Sequence, residues 1–161
     1  MTKILDRIDR CIGAIVGAGK WLALPVVLCL FLQWPLRELV QRLTREANDL
    51  GQIAFALLVA VSITAATRAG THLHVDILAR GYSPGTRAAL RRLGVALGIA
   101  PWAAFALIAG RNVVWSSIAA LELFPDTYNA GYFLVKAALW LLALLMLVQA
   151  ALDFARPSRP D

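Results

Sequence analysis

The chain has 161 residues, of which 60% are apolar and 16% are charged, and its mean hydropathy is +0.68. Its polar segments are too short to fold a catalytic domain in water, so the composition excludes a soluble enzyme. The net charge of +6 lies mostly beside apolar stretches, where anionic lipid headgroups, and not nucleic acid, are the expected counter-charge.

Four apolar stretches are each long enough to cross a membrane as a helix. They predict one all-α integral membrane domain over residues 1–161, with spans at about residues 12–34, 50–67, 93–115 and 130–154.

Three basic residues lie inside these spans, whereas no acid lies near a span centre. They are Lys20, Arg111 and Lys136. Long basic side chains can reach the membrane surface from such positions, and this is the first interpretation. The alternative is a contact with lipid or with a carboxylate of a partner subunit, because the sequence offers no obvious counter-ion.

The connector at about residues 35–47 has apolar residues at helical spacing and charges on the other face. It predicts an amphipathic helix on the outer leaflet, either a solvated link or a docking surface. In the connector at about residues 68–92, Ser83 and Pro84 predict a helix start, with serine as the N-cap and proline at the first helical position.

The distribution of Lys and Arg predicts the orientation. The N-terminal segment, the second connector and the C-terminal tail together hold ten, against three in the other two connectors. The positive-inside rule therefore places both termini in the cytoplasm.

Small and aromatic residues in the spans suggest helix contacts. Two G-x-x-x-G motifs allow close helix approach, and packing within the bundle is the expected use. Trp102 and Trp140 lie near span centres. They could be core residues, lipid-facing residues or contacts with a partner protein. The glycines of the two motifs are Gly13, Gly17, Gly94 and Gly98.

The chain's two histidines do not suit a cofactor. His72 and His74 lie two residues apart at one membrane edge. A four-span cytochrome b needs histidines that face one another across the bundle at membrane depth. A metal site would need further ligands, and Asp76 is the only acid nearby. We therefore expect neither a metal nor another cofactor.

The stretch Arg68-Ala69-Gly70-Thr71-His72-Leu73-His74-Val75-Asp76 resembles the R-x-G-x-H-x-x-V-D signature of the DctQ-like small membrane subunit of tripartite ATP-independent periplasmic (TRAP) transporters. The resemblance extends to four spans, cytoplasmic ends and a helical first connector. Many relatives carry paired glutamates before the second span, where this chain has the run Glu46 to Asp49. The residues that match the signature are Arg68, Gly70, His72, Val75 and Asp76.

The resemblance implies a non-catalytic subunit of a secondary, ion-coupled uptake system in the bacterial inner membrane. A large permease subunit would carry the substrate and sodium sites, and a periplasmic binding protein would deliver an organic acid such as a carboxylate. The small subunit would brace the large one. The matched residues would then order the protein for assembly, so we expect loss of His72 or Asp76 to weaken the complex.

Two other classes of function remain open on the sequence alone. A self-assembling transporter or channel would use the glycine motifs to oligomerise and the intramembrane cations to line a pore. A membrane anchor of a redox enzyme has the right size but the wrong histidine placement.

Overall fold

The computed structural model describes residues 2–39, 41–69 and 81–155 of the chain. The described helices are α1 (Thr2–Gly19), α2 (Ala23–Leu39), α3 (Gln41–Ala69), α4 (Pro84–Gly94), α5 (Ala100–Ala119) and α6 (Tyr132–Ala155). A 3₁₀ turn at Lys20–Leu22 joins α1 to α2, and a π-helical turn at Val95–Ile99 joins α4 to α5.

Four helical segments are long and apolar enough to cross a membrane, which confirms the predicted fold class. They are Lys3–Pro35, Arg45–Ala69, Gly85–Ala119 and Tyr132–Ala155. The first three contain the predicted spans with additional turns, and the fourth begins two residues later than its predicted span. The chain is therefore a multi-pass membrane protein.

A 3₁₀ turn interrupts the α-helix of the first span near its middle. The 3₁₀ turn at Lys20–Leu22 lies just before Pro25, which has no N–H to donate to the preceding turn of helix. At the same level Gly19 lies against Val61 of α3, so closely that an added Cβ would be 2.8 Å from the valine Cβ. The 3₁₀ turn therefore lies beside a close contact between the first two spans.

The first connector is predicted as an amphipathic helix over residues 35–47. Of these residues, 35–39 lie in α2 and 41–47 lie in α3. Gln33 Nε2 lies 3.4 Å from Asn48 Oδ1, and an added Cβ on Gly51 would lie 3.4 Å from Cys29 Cβ. These contacts show that α2 and α3 pack against each other as an antiparallel hairpin.

The four spans pack in the order first, second, fourth, third. The helix α3 packs on α2 and on α6, and α6 packs on α5. The core between α3, α5 and α6 contains Ala60, Ala103, Leu142 and Met146. Because alanines lie at these crossings, the helix backbones can approach closely. The first and third spans therefore form the two edges of the bundle.

The helix α4 begins as its sequence predicts. The backbone N–H of Thr86 donates to Ser83 Oγ at 3.2 Å, and that of Arg87 donates to the Ser83 carbonyl at 3.0 Å. Ser83 is therefore the N-cap, and Pro84 occupies the first helical position, where its missing N–H costs nothing.

Candidate functional site

A polar cluster joins three helices at one end of the bundle, and Arg68 lies at its centre. Arg68 Nη1 is 2.8 Å from Asp9 Oδ1 of α1 and donates to Gln149 Oε1 of α6 at 3.1 Å. Gln149 Nε2 in turn donates to Asp153 Oδ1 at 2.9 Å. We call these four residues the Arg68 cluster. It joins the start of the first span to the ends of the second and fourth spans.

The side chain of Arg68 lies among the helices of the bundle and is mostly shielded from the surroundings. Its side chain is only 23% exposed, and that of Asp9 is 26% exposed. The planar guanidinium can hold a carboxylate and an amide oxygen at once, which an ammonium does less well. The arginine of the family signature therefore acts within the bundle. The remaining matched residues, Gly70, His72, Val75 and Asp76, lie outside the described residues.

A second cluster, centred on Asp49, lies at the opposite end. Asp49 is 6% exposed and accepts hydrogen bonds from Thr127 Oγ1 at 2.5 Å and from Asn129 Nδ2 at 3.0 Å. Both donors lie in the loop of residues 120–131, so one carboxylate at the start of α3 holds the connector between the third and fourth spans. This contact was not predicted from the sequence, in which Thr127 and Asn129 were the residues that could have pointed to it.

Lys136 has its counter-ion within the chain, contrary to the expectation from sequence. Its Nζ lies 2.7 Å and 2.5 Å from the two carboxylate oxygens of Glu122, and 5.2 Å from the ring centroid of Tyr132. Ser117 Oγ also donates to Glu122. The hydrogen bonds from Lys136 and then Ser117 stabilise the charged carboxylate and lower the pKa of Glu122. The pair fixes the loop to the first turns of α6.

The loop itself is tightly folded. The helix α5 ends in a Schellman arrangement, in which the N–H groups of Leu121 and Glu122 donate to the carbonyls of Ile118 and Ser117. Leu121 occupies the left-handed conformation, with φ 46°, where glycine is usual. Phe124 is 3% exposed and packs edge-on against Tyr132, with ring centroids 5.4 Å apart. The loop therefore covers this end of the bundle as a fixed cap.

An open cleft with both polar and apolar walls lies between this cap and the α2–α3 hairpin. Its walls include Trp34 and Tyr132, two of the aromatic residues near this end of the spans. Its other polar lining residues include Gln33, Arg45, Asn48, Gln52 and Asp126.

The four remaining span residues singled out from sequence lie in different environments. Trp140 Nε1 donates to the Leu107 carbonyl at 3.0 Å, so this side chain serves contact within the bundle although it is 36% exposed. Trp102 is 46% exposed on α5. Lys20 and Arg111 are both exposed, and neither forms an ion pair with a described residue.

The predicted packing glycines are mostly not at helix crossings. A Cβ added to Gly17, Gly94 or Gly98 would meet no described atom within 4 Å, and one on Gly13 would make an ordinary contact of 3.6 Å with Arg68. The expectation that both motifs pack inside the bundle therefore does not hold among the described residues. The close crossing uses Gly19, which belongs to neither motif.

The geometry of both clusters suits the joining of helices. No group of three or more His, Cys, Asp or Glu side chains within residues 2–39, 41–69 and 81–155 could hold a metal ion. The acids of the two clusters, and Glu122, are instead bonded to arginine, lysine, threonine and amide groups of this same chain.

Comparison with known protein families gives a match over most of the chain. The family model "Tripartite ATP-independent periplasmic transporters, DctQ component" matches residues 26–159. No curated protein and no solved structure matches the chain.

Proposed function

The chain belongs to the DctQ family of TRAP transporter components, and on this basis we propose that it is the non-catalytic small subunit that braces the large permease subunit. The family match over residues 26–159 is the observation that carries this proposal. A periplasmic substrate-binding protein would join through the complex.

The contacts within the bundle support a bracing role. The Arg68 cluster and the Asp49 and Glu122 contacts tie helices together at both ends. A bundle held at both ends is suited to remain fixed while a neighbouring subunit moves. The pairing of Lys136 with Glu122 also removes one of the three cations that a pore formed by this chain would use.

Several finer features belong to the same proposal. The Arg68 end would face the cytoplasm, because the basic connector and both termini lie there in the orientation that the positive-inside rule favours. The complex would lie in the bacterial inner membrane and take up organic acids such as carboxylates by secondary transport, with sodium as the coupling ion. The substrate site would lie on the other chains.

Affinity purification tests the proposal. The chain, tagged at its C-terminus, is extracted from native membranes in mild detergent, and proteins present in equal amount are identified. We expect one large multi-span permease, and we expect uptake in proteoliposomes to require both chains and the binding protein. Recovery of this chain alone as a stable homo-oligomer, with transport unaided, would favour a channel. A haem absorbance band would favour a redox anchor.

A further inference from the structure

Lys20 lies near the middle of the first span, which runs from Lys3 to Pro35. The Arg68 cluster marks one end of the first span at Asp9, and the contact between Gln33 and Asn48 marks the other. At 1.5 Å per residue, Lys20 is about 17 Å along the helix from Asp9 and about 20 Å from Gln33. Both distances exceed the reach of an extended lysine side chain.

The charge of Lys20 has no counter-ion among the described residues. Its side chain is exposed, and its Nζ lies 5.9 Å from the ring centroid of neighbouring Trp21. An unpaired ammonium at the centre of a bilayer is among the most unfavourable groups that a span can carry, so such residues usually face protein or a water-filled cavity. Lipid alone is therefore a poor environment for this face.

The same face continues as a regular stripe along α2. Lys20, Leu24, Val27, Phe31 and Trp34 are spaced alternately by four and three residues, the spacing with which one helix packs against another in a left-handed crossing. The four apolar members are 61–80% exposed. We call these five residues the Lys20 seam. The adjacent side of the first span already contacts the bundle, since Gly19 and Val26, each next to a seam residue in sequence, are buried.

We propose that the Lys20 seam receives a membrane helix of the large permease subunit that carries an aspartate or glutamate near the bilayer centre. This rests on the proposed function, which supplies the permease as the partner. The partner is defined by charge complementarity, because a carboxylate at that depth neutralises Lys20 while apolar side chains cover the rest of the seam. The contact would fix the depth at which the two subunits meet.

The other edge of the bundle is a weaker candidate. Arg111 is also exposed there, but it lies about 12 Å along α5 from the helix end at Ala119. A long guanidinium side chain can approach the interface from that depth. The exposed residues Phe105 and Ile108 therefore provide a matched control face, with exposed fractions of 71% and 77%.

Photo-crosslinking tests which edge meets the permease. A photoreactive amino acid replaces Val27 or Phe31 in the seam, and Phe105 or Ile108 on the control face. We expect adducts with the permease from the seam positions alone. Adducts from the control face alone, adducts with a second copy of this chain, or no adducts while the permease co-purifies would each overturn the proposal. If the permease does not co-purify with the unmodified chain, the proposed function fails and the seam proposal fails with it.

Charge variants test the pairing. Lys20→Met keeps an unbranched side chain and is expected to reduce recovered permease roughly threefold, since polar contacts between membrane helices contribute modestly. Lys20→Glu would place two acids together and reduce recovery roughly tenfold or more, whereas Lys20→Arg should retain it. Arg111→Met is the matched control and should have no effect. Full recovery with Lys20→Met and Lys20→Glu would refute the pairing.

Discussion

Replacing Gly19 with alanine should destabilise the bundle, because this glycine lies where the first span crosses α3. The added Cβ would lie 2.8 Å from Val61 Cβ and 3.2 Å from its Cγ2, and closer still to its Cγ1. Carbon atoms normally approach to about 3.5–4.0 Å. Since a Cβ is fixed by its backbone, the helices must separate by roughly 1 Å, and such overpacking typically costs about 1–3 kcal/mol.

Gly17→Ala is the matched control. A Cβ at Gly17 meets no described atom within 4 Å, and alanine favours a helix over glycine by up to about 1 kcal/mol. The two substitutions should therefore change stability in opposite directions.

The difference in stability between the two variants is measured by heating the purified protein in detergent and recording the fraction that remains monodisperse. Adding Val61→Ala to Gly19→Ala should restore part of the loss, because both methyl groups leave while the Cβ at 2.8 Å stays. Equal melting temperatures for Gly19→Ala and Gly17→Ala would refute the close crossing between the first span and α3.

Three further predictions concern the polar clusters. Asp49→Ala leaves Thr127 and Asn129 without their shared acceptor and should lower the stability of the fold by about 1–3 kcal/mol. Thermal melts measure this loss, and proteolysis of the 120–131 loop should become faster. Asp49→Asn should lower the stability less. Arg68→Met should lower the melting temperature more than Arg68→Lys, because a lysine can still pair with one oxygen, and equal losses would contradict the two-partner role. Because the folded-state pKa of Glu122 is lowered, its stabilising contribution is present above the ordinary glutamate pKa of about 4.3 and is lost as pH falls through the lowered value. Melting temperatures of the wild type and Glu122→Gln should therefore differ most at neutral pH and converge in acid.

Local chemistry explains which parts of the fold were predictable. A continuous apolar run can be satisfied by one helix in a bilayer, so the four spans follow from hydropathy alone. The start of α4 follows from Ser83 and Pro84, whose capping preferences act within one turn. Both predictions can be made without information on which helices pack against each other.

The contacts between helices could not be predicted in the same way. Lipid is as apolar as the spans, so the sequence does not mark which stripe of a membrane helix meets protein. The G-x-x-x-G spacing therefore pointed to Gly17 and Gly98, while the close crossing used Gly19. The hydrogen bond between Thr127 and Asp49 joins residues 78 positions apart and depends on α3 and α6 being neighbours.

The order of the helices also constrains biosynthesis. Because α5 packs chiefly on α6, the third span leaves the ribosome before its main neighbour has been made. It must enter the bilayer on its own apolarity, with Arg111 and Asn112 already in place. A nascent chain that ends before Tyr132 would thus contain the packed hairpin of the first two spans and a third helix that is still surrounded by lipid.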